Sequence, residues 1–171
     1  DEVIDLIYRV FCEPGKDKVI ICPPTYGMYE VSANINNVGI LEIPLKDDFQ
    51  LDIKSILAQR AKCIFVCSPN NPTGNILQNI EQLLNEFNGI VVVDEAYIDF
   101  SIDNSVVKQI TAHPNLVVMQ TFSKARALAG ARVGIAFADK AIIKLMGKTK
   151  PPYNVSELNQ REAINTLKNS V

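Results

Sequence analysis

Apolar residues cluster in six short runs: KVIIC (18–22), GILEIPL (39–45), KCIFVC (62–67), GIVVVD (89–94), NLVVMQT (115–121) and RVGIAFA (132–138). Several are apolar at nearly every position rather than at alternate ones, which is the pattern of strands covered on both faces. Between them lie segments of helical period at 1–12, 26–37, 52–60, 76–88, 139–147 and 156–169. Strand alternating with helix predicts an α/β chain, a three-layer α/β/α sandwich around a mostly parallel central sheet. The clearest break is GKTKPPYNVS, where Pro151 and Pro152 forbid helix and predict a linker. Residues 1–150 therefore read as one domain, and 151–171 as a linker and the start of a helix leading out of it.

Composition narrows the partners. The chain has 171 residues, of which 47% are apolar and 21% charged, as in an ordinary globular protein. A formal charge of -2 gives no basic field of the kind that nucleic acid or an anionic membrane rewards, so neither partner is expected. No apolar run is long enough to span a bilayer, and the opening DEVIDLIYRV lacks the layout of a secretion signal. The expected location is the cytoplasm. Cys12, Cys22, Cys63 and Cys67 read as reduced core thiols, with Cys63 and Cys67 on one face of a strand. A metal site is not expected, since the only histidine, His113, lies far along the chain from the cysteines.

In parallel sheets ligands gather beyond the carboxyl ends of the strands. There the sequence places PPTYGMY, SPNNPTG, DEAYIDF and FSKARALAGAR, segments rich in polar and aromatic residues. No G-x-G-x-x-G or Walker-type loop follows any strand, which disfavours a generic nucleotide-binding domain.

In that order and spacing, SPNNPTG, VVDEAYIDF and TFSKARALAGARVG resemble the fold type I pyridoxal-phosphate aminotransferases. With FCEPGKDKVIICPPTYGMY they are most similar to the histidinol-phosphate aminotransferases, closely from Asp1 to about Gly134. The resemblance implies that residues 1–150 are the large, cofactor-binding domain and that the cofactor is pyridoxal 5'-phosphate. It implies a small-molecule amino donor and a 2-oxo acid as substrates, and a homodimer.

The same resemblance implies a role for each site residue. Lys124 attaches the cofactor's aldehyde and shuttles a proton. Asp94 keeps the pyridine nitrogen protonated, Asn71 and Tyr97 bond the phenolic oxygen, and Tyr26 stacks on the ring. Ser123, Arg132 and, more weakly, Thr121 bind the phosphate, with Asp1 and Glu2 ending the loop whose amides open the first helix. Read without the resemblance, each has a plainer alternative: a solvated lysine at 124, a helix cap at Asp94, a turn residue at Asn71, buried rings at Tyr26 and Tyr97.

The sequence departs from the family pattern in two ways. Relatives carry an N-terminal arm, the start of the phosphate loop and a small domain that clamps the substrate carboxylate, and these are not visible. Arg126 stands where relatives usually have an aromatic or apolar residue, and reads as an ion pair at a subunit contact or as a solvated side chain. A decarboxylase of phosphorylated amino acids and a non-enzymatic sensing domain stay open as alternatives to transamination.

Overall fold

The computed structural model describes residues 1–169; Ser170 and Val171, the end of the expected 151–171 segment, lie outside the described residues. All six apolar runs form strands: β1 (Lys18–Ile21), β2 (Gly39–Glu42), β3 (Cys63–Cys67), β4 (Ile90–Asp94), β5 (Leu116–Thr121) and β6 (Gly134–Ala138). The helices are α1 (Glu2–Phe11), α2 (Met28–Ile35), α3 (Ile53–Leu57), α4 (Ile80–Glu86), α5 (Lys140–Thr149) and α6 (Glu157–Asn169). One sheet runs in the order β2-β1-β3-β4-β5-β6. Its pairings are parallel except β5 with β6, which are antiparallel. That exception has a simple cause: the chain leaving β5 turns back through a loop with one 3₁₀ turn at Ala129–Ala131, without the crossover a parallel return needs.

The continuous apolar runs are explained by the two cores. Side chains alternate across a strand, so Cys63, Phe65 and Cys67 of β3 pack with α1, α2 and α5 through Ile4, Tyr29, Ala33, Ile142 and Met146. The intervening Ile64 and Val66 pack with α3 and α4 through Ile56, Ile80, Leu83 and Leu84. Every residue of β3 is buried as a result. The cysteines are buried and unpaired, as expected for core thiols.

Element ends follow local chemistry. Asp52 opens α3 by accepting from the Ser55 amide at 3.1 Å, and Asp139 opens α5 by accepting from Ala141 at 2.7 Å. Before β4 the chain passes so close to its neighbour that a Cβ on Gly89 would lie 2.7 Å from the Lys62 carbonyl oxygen. Between β4 and β5 lie three 3₁₀ segments, Ile98–Phe100, Ile102–Asn104 and Val107–Thr111, a stretch with no helical period for the sequence reading to assign.

Strand order reverses direction at β1: β2 lies on one side, and β3 and its successors on the other. The loops leaving β1 and β3 thus diverge around a crevice at the carboxyl edge, the place where open α/β sheets bind ligands.

Under that crevice Phe65 lies between two tyrosines, its ring centroid 5.2 Å from Tyr8 and 5.1 Å from Tyr29, both near-parallel. Phe65→Ala is expected to destabilise the fold by about 3–5 kcal/mol in urea denaturation, the usual range for an aromatic lost from a core. Ile35→Ala, at a side chain 71% exposed, is expected to shift stability by less than about 0.5 kcal/mol.

Candidate active site

Asp94 closes β4 in register with Cys67 of β3 and Met119 of β5, so its carboxylate sits at the mid-sheet carboxyl edge. It is only 7% exposed. The Tyr29 hydroxyl, reaching across from α2, donates to Oδ2 at 2.8 Å, and the Ala96 amide donates to Oδ1 at 3.0 Å. Burial pushes the carboxyl above its ordinary value, while these two donors pull it back and the adjacent Glu95 charge adds to the rise. Burial, then the Asp94 charge, likewise pushes the Tyr29 phenol up, which keeps it a donor.

The loop between β5 and β6 brings up the cations. Lys124 is exposed, with its Nζ 5.3 Å from the centroid of the Tyr97 ring. Among the described residues no carboxylate pairs with it. The Ser123 amide donates to Thr121 Oγ1 at 3.1 Å, a short turn that ends β5 and aims the next residues outward. Arg132 takes a left-handed backbone (φ 54°), which is uncommon for a residue with a side chain and is held here by the surrounding loop. Its guanidinium lies 3.4 Å from Asp1, whose other oxygen accepts from the Tyr26 hydroxyl at 3.0 Å. The Arg132 and Asp1 side chains are 67% and 45% exposed, so the ion pair is weak in itself. What it does is bring the N-terminal turn of α1 beside a guanidinium.

Tyr26 links the two halves. Its ring meets Tyr29 edge-on at 5.7 Å, and its phenol is pushed up first by burial, then by the nearby Asp94 and Tyr97. Lys124, Tyr97, Tyr26, Asp94, Arg132 and Asp1 are therefore neighbours at the carboxyl edge of the sheet. Asn71 is half-buried on the loop after β3, and among the described residues its side chain, like the Ser123 hydroxyl, has no hydrogen-bond partner. Thr121 instead serves its own loop, accepting from Ser123 and donating to the Val133 carbonyl.

Sequence reasoning missed three supporting side chains. Tyr29 holds Asp94, and the available signal was a tyrosine on the buried face of a helix, whose hydroxyl needs a partner. Asn70, not Asn71, joins the diverging loops, donating to the Pro24 carbonyl at 3.0 Å and to Thr73 at 2.7 Å. Glu95 is 2% exposed and accepts from Ser105, the Val106 amide and Gln120. Strand alternation after Asp94 sends it to the opposite side. Arg126 pairs with Asp99 of the same chain at 2.9 Å, rather than standing alone in solvent.

The arrangement is an uncommitted amine, a buried carboxylate, an aromatic wall and a guanidinium beside a helix N-terminus, suited to a small anionic ring bearing a carbonyl. The sequence profile of the family described as aminotransferase class I and II matches residues 1–170. The chain belongs to the class I and II aminotransferases. Among relatives of this aminotransferase chain, the histidinol-phosphate aminotransferase of Cytophaga hutchinsonii is 53% identical over 174 residues, covering 99% of the chain and 50% of the relative. The chain thus spans about half the length of the relatives it matches. The solved histidinol-phosphate aminotransferase of Clostridium acetobutylicum superposes with a TM-score of 0.89 at 25% identity, over 98% of this chain and 52% of that one. The Sinorhizobium meliloti enzyme of the same name, solved with pyridoxal-5'-phosphate, gives 0.87 at 23% identity over 98% and 48%. These superpositions bear out the three-layer sandwich with its mostly parallel sheet.

The sign of the Asp94 shift sets a pH dependence. A carboxyl raised in the fold holds its proton more tightly there, so its contribution to stability is largest at low pH. That contribution is lost as pH rises from the usual 3.8 through the raised folded value. Asp94→Asn is expected to flatten this part of the stability–pH curve. Tyr29→Phe, which removes a donor to the carboxylate, is expected to push the loss to higher pH, both read by urea denaturation across the acid range. A Tyr29→Phe curve superimposable on the parent would refute the coupling.

Proposed function

We propose that the chain is the cofactor-binding part of a pyridoxal 5'-phosphate-dependent histidinol-phosphate aminotransferase. The reaction transfers the amino group of histidinol phosphate to 2-oxoglutarate, giving imidazole acetol phosphate and glutamate in histidine biosynthesis. The observation that carries this reading is identity of 53% across 99% of the chain to a relative of that name. In this reading residues 1–150 are the cofactor-binding domain, the segment from 151 onward leads out of it, and the protein is a cytoplasmic homodimer. No helix among the described residues is long and apolar enough to cross a membrane.

The residues present fit the cofactor. Asp94 is a buried carboxylate whose displaced pKa would be relieved by a cation beside it, such as a protonated ring nitrogen. Lys124 has an amine committed only to a ring face, free to attach an aldehyde. Arg132, the Ser123 hydroxyl, Thr121 and the α1 amides beginning beyond Asp1 would hold the phosphate, and Tyr26 would cover the ring. Tyr97 and Asn71 would donate to the phenolic oxygen.

When bound, pyridoxal phosphate supplies an electron sink for the charge left at the substrate's α-carbon. The remaining steps belong to the chain's own groups. Asp94, kept in place by Tyr29 and the Ala96 amide, would hold a proton on the ring nitrogen. With the cofactor bound, the Lys124 amine would take up the substrate's α-proton and carry it, and the Tyr97 ring, whose centroid lies 5.3 Å from Nζ, would restrict its path.

Mixing the protein with pyridoxal phosphate is expected to give a visible absorbance band, and borohydride is expected to fix the group on Lys124, located by peptide mass spectrometry. An adduct on another lysine, or none, would refute the assignment. Lys124→Ala is expected to abolish trapping and lower turnover by about 10²- to 10⁴-fold, the range for a lost general base. With histidinol phosphate and 2-oxoglutarate the expected product is glutamate. Release of carbon dioxide from phosphorylated amino acids would instead favour a decarboxylase.

A further inference from the structure

The loop that carries Lys124 and the segment that carries Tyr97 meet twice, at matched spacing. Lys124 lies over the Tyr97 ring, and two residues further along each strand of chain Arg126 Nη2 pairs with Asp99 Oδ1 at 2.9 Å. The second contact differs from the exposed pairs elsewhere on the molecule: the Arg126 and Asp99 side chains retain only 24% and 23% of their exposure, against 62% and 86% for Arg161 and Glu157. The Arg126 guanidinium also lies 5.5 Å from the centroid of the Phe122 ring, and Phe122 is 2% exposed. Phe122 is itself anchored with Val133 and Ala163. A planar cation held by a carboxylate and by an aromatic face is fixed in orientation in a way that a lysine would not be.

The loop needs such fixing. Ala127 takes a left-handed backbone (φ 54°), a conformation that local preference disfavours and tertiary contacts must hold. Its amide bonds back to the Lys124 carbonyl at 2.9 Å, so the backbone of the lysine is part of the same turn. On the other side Tyr97 and Asp99 flank Ile98, which is 3% exposed and anchors their segment to the interior. Two anchored segments are thus joined across the site by one ion pair and one ammonium–ring contact.

We propose that Arg126 and Asp99 are a positioning pair, which locks the Lys124 loop against the Tyr97 segment and so sets where the Lys124 amine is presented. The proposal rests on Lys124 being the lysine that attaches the cofactor. Arg126 acts through Lys124 and touches no substrate. It also gives the arginine, unusual at this position for the resemblance noted above, a definite task within a single chain.

The test compares Arg126→Met, Asp99→Asn, the double variant and the reversed pair (Arg126→Asp with Asp99→Arg) in the otherwise unchanged protein. Two quantities are read: acetylation of Lys124 by trace acetic anhydride in cofactor-free protein, normalised to exposed Lys144, and the dissociation constant for pyridoxal phosphate. Each single variant is expected to change Lys124 acetylation severalfold and to weaken pyridoxal phosphate binding by about tenfold, a typical coupling for contacting residues. The double variant is expected to be no worse than either single one, and the reversed pair to recover most of both. Asp99→Asn, nearly isosteric, keeps the test open if Arg126→Met folds poorly. Single variants within twofold of the parent in both readouts, or additive losses in the double variant, would overturn the proposal. Absence of borohydride trapping at Lys124 in the parent would overturn the cofactor assignment instead, and the acetylation data distinguish the two failures.

Discussion

A carboxylate buried at the edge of an apolar sheet is the constraint around which this chain is organised. Asp94 follows four β4 residues that are wholly or partly buried, and its own side chain is nearly as enclosed. A charge so placed must be given donors or be driven to neutrality. The donors come from the next turn of backbone and from Tyr29 on α2, and the Tyr29 ring in turn stacks on Phe65, which stacks on Tyr8 of α1. The position of two helices on one face of the sheet is thereby tied to a single polar group. Packing of this aromatic column and the electrostatics of the site are one problem, since shifting a ring moves a donor.

The strands were legible because burial on both faces leaves little polar alternation, so each apolar run marks its own limits to within a few residues. Helices were legible by period, and the caps at Asp52 and Asp139 emerged only from the structure. The 3₁₀ segments between β4 and β5 were not, since such short turns carry no repeat. Their place is set by Glu95, whose carboxylate gathers Ser105, Val106 and Gln120 from distant points of the chain.

The candidate site divides in the same way. Lys124, Asp94, Tyr97, Tyr26 and Arg132 were legible because they lie in motifs of several residues, each local in sequence. Tyr29, Asn70 and the partner of Arg126 were not: their contacts join residues separated by 65, 46 and 27 positions. A motif names candidate groups at the strand ends. The groups that hold those in place from behind are defined by contacts across the fold, which a single sequence leaves open.

The antiparallel return of β6 has a mechanical consequence. Thr121 and Gly134 are paired neighbours in the ladder, so residues 122–133, with Ser123, Lys124 and Arg132 among them, form a loop closed at its base. Its ends are already held together by the sheet, so most of the entropy of closing it is lost when β5 and β6 pair and not when the loop orders. What remains to be ordered is the loop itself, and that is done by its own contacts: Phe122 and Val133 pack with Ala163, and Arg126 pairs with Asp99. Ser123, Lys124 and Arg132 are thus carried by a loop whose ends the sheet fixes and whose middle is pinned by side-chain contacts.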